Sequence, residues 1–248
     1  MSGQSSPPEP GAEVAPPAAA PSSVRSPSAP VSAGHGLVRV WDLPVRLFHW
    51  LLAALVAGSL VSVKLGGNAM VWHERCGIAI LTLIAFRLIW GFVGSHHARF
   101  ATFVRGPAAI LASMQGRHRG LGHSPLAALS VLALLGAVGF QAVSGLFASD
   151  DIAFEGPLAA RVSGTMSQWL TTLHKGNETI LLGLIGLHVA AIAWYAIIKR
   201  RNLVRPMVTG DAPASGQAEA SQDDARLRLR ALLIAAGCAA AAWIVLLR

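Results

Sequence analysis

Five long apolar runs recur along this chain, and they constrain its fold more than any other feature. The runs cover residues 47–63, 76–93, 125–148, 179–198 and 231–247. Each is close to the roughly 20 residues that an α-helix needs to cross the hydrocarbon core of a bilayer. Only 13% of the residues are charged, whereas a soluble domain usually contains about 25%. The sequence therefore predicts an all-α membrane protein, with a four-helix transmembrane bundle and a fifth, C-terminal transmembrane helix.

These runs divide the chain into four segments. Residues 1–34 are rich in proline, alanine and serine, and such a composition predicts a disordered tail because it offers little apolar surface to bury. Residues 37–208 contain the four-helix membrane domain, residues 209–228 form a polar linker, and residues 229–248 form the additional helix. The last run is short and alanine-rich, so a helix lying on the membrane surface is the alternative for it.

Basic residues are distributed unevenly between the two sides of the predicted spans. Fourteen Lys and Arg residues fall on the side of the N-terminus and five on the opposite side. An excess of Lys and Arg is typical of the cytoplasmic side. The sequence therefore predicts a multi-pass protein of the cytoplasmic (inner) membrane with its N-terminus in the cytoplasm. The opposite side carries an acidic loop containing Asp150, Asp151 and Glu155.

The net charge of +8 does not by itself indicate a nucleic-acid partner. The basic residues flank apolar spans, where they control topology and attract anionic lipid. We therefore expect contact with membrane lipid and no binding of nucleic acid.

Four histidines are predicted to face one another in pairs inside the bundle. His174 and His188 stand fourteen residues apart, which is almost four helical turns and a rise of about 21 Å. Both imidazoles therefore leave one helix face, at two depths. Alternate helices run in opposite directions, so His49 lies at the depth of His188, towards the cytoplasm, and His73 lies at the depth of His174. Two facing imidazoles can hold haem iron within a helix bundle, so the sequence predicts two bis-histidine haems.

Arg87 lies fourteen residues after His73, and it should project from the inward face of the second helix near His49 and His188. A buried guanidinium needs an anion, and the apolar runs contain no carboxylate. A haem propionate would supply one through a bidentate pair. The alternative is that Arg87 extends to the nearby membrane surface.

A second class of function stays open on these observations alone. The chain could be a haem-free membrane anchor or a small transporter whose intramembrane histidines carry protons or bind metal. The spans lack the broken helices expected of a secondary transporter. Covalent c-type haem is excluded because the sequence contains no Cys-x-x-Cys-His.

Three phrases resemble a known family. Residues 40–50 read VWDLPVRLFHW, residues 86–94 read FRLIWGFVG, and residues 98–100 read ARF. In order and spacing they are similar to the bacterial cytochrome b561 / nickel-iron hydrogenase b-type cytochrome family, and the resemblance extends from about Leu37 to Gly210. The fifth span and the long proline- and alanine-rich tail depart from the family core.

The resemblance implies a four-helix haem b bundle in the cytoplasmic membrane that takes part in respiratory electron transfer. It implies the axial ligands His49, His73, His174 and His188. We expect electrons to pass between the quinone pool and a periplasmic or membrane redox partner, such as a c-type cytochrome or a periplasmic redox subunit. The chain would then be an electron-transfer protein, either a quinol-linked oxidoreductase or a membrane subunit of a redox complex.

Overall fold

A computed structural model describes Gly3 and residues 36–104, 106, 125–150, 152, 154–214 and 220–246. The expected tail of residues 1–34 lies outside the described residues except for Gly3, and Asp151 of the acidic loop lies outside them too. The helices and strands described below belong to one compact unit, Gly34–Arg248.

Long helices account for most of this unit. In chain order the helices are α1 (Leu43–Leu65), α2 (Met70–Val93), α3 (Phe100–Phe103), α4 (Pro125–Gly145), α5 (Gly164–Ile197), α6 (Val204–Thr209) and α7 (Ala225–Leu246). Short 3-10 turns occupy Gly67–Ala69, His96–Ala98 and Ala159–Arg161. Of the described residues, five helices (α1, α2, α4, α5 and α7) are long and apolar enough to cross a membrane, as the five apolar runs predict.

Local sequence explains where the first two helices begin and end. Asp42 precedes α1, and its carboxylate accepts the backbone N–H of Val45 at 2.7 Å, which caps the helix. The helix ends at Gly66, and both Gly66 and Gly67 have positive φ angles, 65° and 53°. Glycine adopts this region at no steric cost, so the chain can reverse there and start α2. We call the two ends of the bundle the Asp42 end and the Lys64 end.

Helix α2 lies at the centre of the packing, in contact with α1, α4 and α7. Its Asp42 end is tightly packed: Trp90 is fully buried and Phe86 stacks on it at 5.7 Å between ring centroids. The Trp90 indole N–H donates to the Asp42 carboxylate at 3.1 Å. This bond fixes the end of α2 to the start of α1.

The segment expected to be a polar linker, residues 209–228, is more ordered than the sequence suggests. Strand β2 (Asp211–Ala214) pairs antiparallel with strand β1 (Gly36–Arg39), and Arg39 lies opposite Asp211. Helix α7 begins at Ala225, before the expected start at residue 229. The strand could not be predicted from the sequence, because its four residues show no alternation of apolar and polar side chains.

A cluster of charges joins the start of α7 to the start of α1. The Arg39 guanidinium donates to Asp211 at 2.6 Å and to Asp223 at 2.7 Å. Asp223 also accepts from Arg228 at 2.9 Å and from the backbone N–H of Leu43 at 3.3 Å. Helix α7 packs along α2, so it is not a separate amphipathic helix lying apart from the bundle.

Candidate functional site

The four candidate histidines come from three helices and face one another in two pairs. In the first pair, His49 of α1 and His188 of α5 have ring centroids 6.5 Å apart and planes tilted by 54°. In the second pair, His73 of α2 and His174 of α5 have centroids 6.1 Å apart and nearly perpendicular planes, at 86°. Helix α5 is continuous from Gly164 to Ile197, so it carries one member of each pair.

The separation of the rings fits a single metal ion between each pair. A metal–nitrogen bond to imidazole is about 2 Å long, and the ring centroid lies roughly 1 Å behind the nitrogen, so two opposed ligands have centroids roughly 6 Å apart. Among the described residues, no group of three or more His, Cys, Asp or Glu side chains could hold a metal ion. Two opposed histidines alone match the axial positions of a haem, whose porphyrin provides the remaining four ligands.

Hydrogen bonds fix the protonation of the second pair. His73 Nδ1 lies 3.0 Å from the carbonyl oxygen of Ser59, and His174 Nδ1 lies 2.9 Å from that of Gln141. A carbonyl oxygen only accepts, so each Nδ1 must carry the proton and donate it. In the neutral imidazole each Nε2 then keeps its lone pair. A neutral imidazole in this tautomer is the form that ligates iron.

An amide network of α4 and α5 borders His174. Asn177 donates to the side-chain oxygen of Gln141 at 2.7 Å and to the carbonyl oxygen of Ala137 at 3.0 Å. The Gln141 amide nitrogen lies 3.2 Å from His174 Nε2. This long contact occupies the nitrogen that a metal would use, so metal binding there requires the Gln141 amide to turn away.

The first pair differs in that its imidazoles make no hydrogen bonds among the described residues. His49 Nδ1 is buried with no hydrogen-bond partner, and within the described part of the chain His188 also makes no hydrogen bond. The indole of Trp50 meets the His49 ring edge-on at 4.9 Å, and its N–H donates to the Met207 carbonyl oxygen. Arg46, one turn before His49, donates through Nη1 to the Val208 carbonyl oxygen at 2.6 Å, while its Nε is buried without an acceptor.

Arg87 is buried, with a relative exposure of 3%, so it does not extend to the membrane surface. Its guanidinium carbon lies 4.9 Å from the ring centroid of Phe100, and it interacts electrostatically with the Asp42 carboxylate. The apolar runs contain no carboxylate, but Asp42 precedes the first of them and supplies a negative charge near Arg87. One guanidinium nitrogen, Nη1, still has no hydrogen-bond partner among the described residues.

The acidic loop between α4 and α5 is locally ordered. The Asp150 carboxylate accepts the backbone N–H groups of Ile152 and Phe154, at 3.0 Å and 2.9 Å. Ser149 and Glu155 form an isolated β-bridge. The Asp150 carboxylate therefore already accepts two hydrogen bonds from the backbone of its own loop.

Four polar residues of this site were missed from sequence: Ser59, Gln141, Ser144 and Asn177. A signal existed for two of them. Gln141 is the one amide in the apolar run of residues 125–148, and Asn177 lies three residues after His174 on the same helix face. For Ser59 and Gln141 the group that contacts histidine includes the backbone carbonyl, which any residue type supplies.

Comparison with known proteins identifies the family of this chain. The family model described as prokaryotic cytochrome b561 matches residues 40–210. The chain is 26% identical to the "Probable Ni/Fe-hydrogenase B-type cytochrome subunit" of Azotobacter chroococcum mcd 1, over 70% of this chain and 87% of the relative. It is 25% identical to the protein of that name in Azotobacter vinelandii, with the same coverage, and 23% identical to that of Rhodobacter capsulatus, over 70% and 80%. No solved structure matches the chain.

Proposed function

This chain belongs to the prokaryotic cytochrome b561 family, and we propose that it is a dihaem cytochrome that carries electrons across the cytoplasmic membrane between a quinone and a redox partner. As a member, it is a multi-pass membrane protein and a b-type cytochrome that transfers electrons. Haem b supplies the one-electron chemistry, in which iron alternates between the ferric and ferrous states. The number of haems, their ligands and the partners are the proposal.

The observation that carries the proposal is the presence of two facing histidine pairs, with centroids 6.5 Å and 6.1 Å apart. His49 and His188 would hold one haem, and His73 and His174 the other. His174 and His188 are fourteen positions apart on one helix, so the pairs are separated by a rise of about 21 Å. Two such sites divide the crossing of the membrane into shorter electron-transfer steps.

Two guanidinium groups near the Asp42 end support a haem with propionates there. The Nη1 of Arg87 and the Nε of Arg46 are buried and have no acceptor among the described residues. Buried donors of this kind almost always have a partner. We propose that Arg87 binds a propionate of the haem on the first pair, with Asp42 balancing part of its charge.

The proposed orientation has the Asp42 end in the cytoplasm. Fourteen Lys and Arg residues flank the spans on that side and five on the other, which supports it through the positive-inside rule. Five spans would put the C-terminus in the periplasm. A C-terminal alkaline phosphatase fusion should therefore be active and a C-terminal green fluorescent protein fusion dark. The reverse result would contradict either the orientation or the fifth span.

For partners we propose a quinone, and a c-type cytochrome or a redox subunit docked at the Lys64 end. The names of the relatives, which are cytochrome subunits of Ni/Fe-hydrogenase, support a membrane subunit of a redox complex. Purification in mild detergent should then recover a large peripheral redox subunit with the chain. A chain that purifies alone and is reduced by quinol would instead be a freestanding quinol-linked cytochrome.

Haem stoichiometry tests the proposal directly. Purified protein should contain two haem b per chain, measured as the pyridine haemochrome against total protein. We expect His188→Ala to retain one haem and His174→Ala to retain the other. The matched control is His97→Ala, which removes a histidine outside both pairs and should leave two haems. A colourless, folded preparation would contradict the cytochrome function, and one haem per wild-type chain would contradict the dihaem assignment.

A further inference from the structure

The two histidine pairs differ in what holds their outer nitrogens. Both imidazoles of the second pair donate through Nδ1 to backbone carbonyl oxygens, those of Ser59 and Gln141. The hydroxyl groups of Ser59 and Ser144 lie close to the same nitrogens, at 3.0 Å and 3.3 Å. Within the described residues neither imidazole of the first pair forms a hydrogen bond.

A hydrogen bond from Nδ1–H to a carbonyl oxygen makes the imidazole a stronger electron donor. This outer contact raises the basicity of the nitrogen that binds the metal. A more basic axial ligand stabilises ferric iron more than ferrous iron, and the reduction potential of the haem falls. The four oxygen atoms around His73 and His174 therefore lower the reduction potential of a haem at the second pair. Among the described residues, no oxygen atom is hydrogen-bonded to the imidazoles of the first pair.

Fixed charges favour the same order. Arg46 lies one turn before His49 and forms no ion pair with a described carboxylate, so its positive charge favours the ferrous state at the first pair. Asp42 offsets the charge of Arg87 there. Near the second pair, Glu178 is paired with Lys64 at 3.1 Å.

Lys175 follows His174 directly and interacts with it electrostatically. Glu74 and Arg75 follow His73 and carry opposite charges. The side chains of these three residues are exposed, so their charges are screened more than that of the part-buried guanidinium of Arg46. The balance of charges therefore favours reduction at the first pair.

From these differences we infer that the two sites have unequal reduction potentials, lower at His73 and His174 and higher at His49 and His188. The inference rests on the proposed dihaem function and gives it a direction. A haem held by each pair would supply the one-electron chemistry, with His73 and His174 favouring its ferric state and His49 and His188 its ferrous state. In the proposed orientation, electrons would then pass from a one-electron donor at the Lys64 end to a quinone as acceptor.

A spectroscopic redox titration of the purified protein tests this order. We expect two one-electron steps whose equilibrium constants differ by at least tenfold, which corresponds to about 59 mV for one electron. In His174→Ala the lower-potential step should disappear, and in His188→Ala the higher-potential step should disappear. The opposite assignment, or two equal potentials, would overturn the inference while leaving the dihaem function intact. A protein with fewer than two haems would overturn both.

A milder pair of variants tests the same point without removing a ligand. Arg46→Gln should lower the reduction potential of the haem on the first pair, so that the equilibrium constant for its reduction falls at least threefold. The other step should stay unchanged. Arg201→Gln removes an exposed cation beyond the end of α5 and should change neither step. If Arg46→Gln leaves both potentials unchanged, Arg46 makes no contribution and the charge argument fails.

Ser144→Ala tests the hydrogen-bond argument. It should raise only the lower potential, because it removes one oxygen atom beside His174 Nδ1.

Discussion

Gly145 lies directly against the imidazole of His174. A Cβ atom added at position 145 would stand 2.9 Å from the ring Cε1 and 3.2 Å from Nδ1. The ring cannot move away freely, since its Nδ1 is bonded to the Gln141 carbonyl oxygen on the same helix α4. The absence of a side chain at position 145 therefore determines where the His174 ring can lie.

The first prediction is that Gly145→Ala weakens haem binding at the second pair. The added methyl group would displace His174 from its position opposite His73, and disturbing the surroundings of a ligand typically costs 10–100-fold in metal affinity. We expect the haem content to fall from two towards one per chain, with the haem of the first pair retained. Haem quantitation after extensive washing in detergent would measure the loss.

The matched control for this variant is Gly136→Ala. Gly136 lies on the same helix, and an added Cβ there meets no atom within 4 Å. Gly136 lies in the interior of α4, where glycine to alanine increases helix propensity by about 1 kcal/mol, and Gly145 is the last residue of that helix. Gly136→Ala therefore shows the effect of an added methyl group that meets no neighbour. Equal haem content in the two variants would contradict the positioning role of Gly145.

The second prediction concerns Asp42, which is fully buried at the Asp42 end. Asp42→Ala removes the cap of α1, which costs about 1 kcal/mol, and leaves the Trp90 indole N–H without an acceptor, which costs about 1–3 kcal/mol more. It also removes a negative charge that partly offsets the charge of Arg87. We therefore expect a loss of at least about 2 kcal/mol in the free energy of unfolding, measured by chemical denaturation in detergent.

Asp224→Ala is the control for the capping contribution alone. The Asp224 carboxylate accepts the Leu227 N–H at 2.7 Å at the start of α7, and it lies on the exposed surface. Its removal should cost about 1 kcal/mol. If Asp42→Ala is no more damaging than Asp224→Ala, the bonds from Asp42 to α2 contribute nothing measurable.

Much of this architecture can be predicted from the sequence, because the lipid bilayer imposes simple rules. Apolar runs give the spans, and the intervals between histidines give their depth and face, so the sequence alone predicts which histidines face each other. The charge that acts on Arg87 could not be found in this way. Asp42 lies outside the apolar runs, forty-five residues before Arg87, and periodicity within one helix says nothing about residues so distant in sequence. The β1–β2 pairing was missed because its four-residue strands show no alternating pattern.

The third prediction is that the attachment of α7 weakens in acid. Burial is the largest single influence on the Asp223 carboxyl and would raise its pKa, but the hydrogen bonds from Arg228 and Leu43 and the charges of Arg228 and Arg39 together hold the pKa below its usual 3.8. A depressed pKa in the folded state means that the contribution of Asp223 to stability is complete well above pH 3.8 and is lost as the pH falls through the lower, folded-state value.

Asp223→Asn should remove this pH dependence. We expect the melting temperature of the wild-type protein to fall more steeply below about pH 4 than that of the variant, with the variant less stable near neutral pH. Asp224→Asn is the control, since Asp224 does not contact Arg39. Parallel melting curves for wild type and Asp223→Asn across this range would show that the charge cluster does not hold α7.

The last prediction uses the angle between the imidazole planes. In the second pair the planes are nearly perpendicular, at 86°, whereas in the first pair they are tilted by 54°. Perpendicular axial planes interact equally with two iron d orbitals and leave them close in energy, so the low-spin ferric haem shows a large g anisotropy. Electron paramagnetic resonance of the oxidised protein should therefore give two low-spin signals. The more anisotropic signal should disappear in His174→Ala and persist in His188→Ala. Loss of that signal in His188→Ala instead would mean that the perpendicular arrangement belongs to His49 and His188.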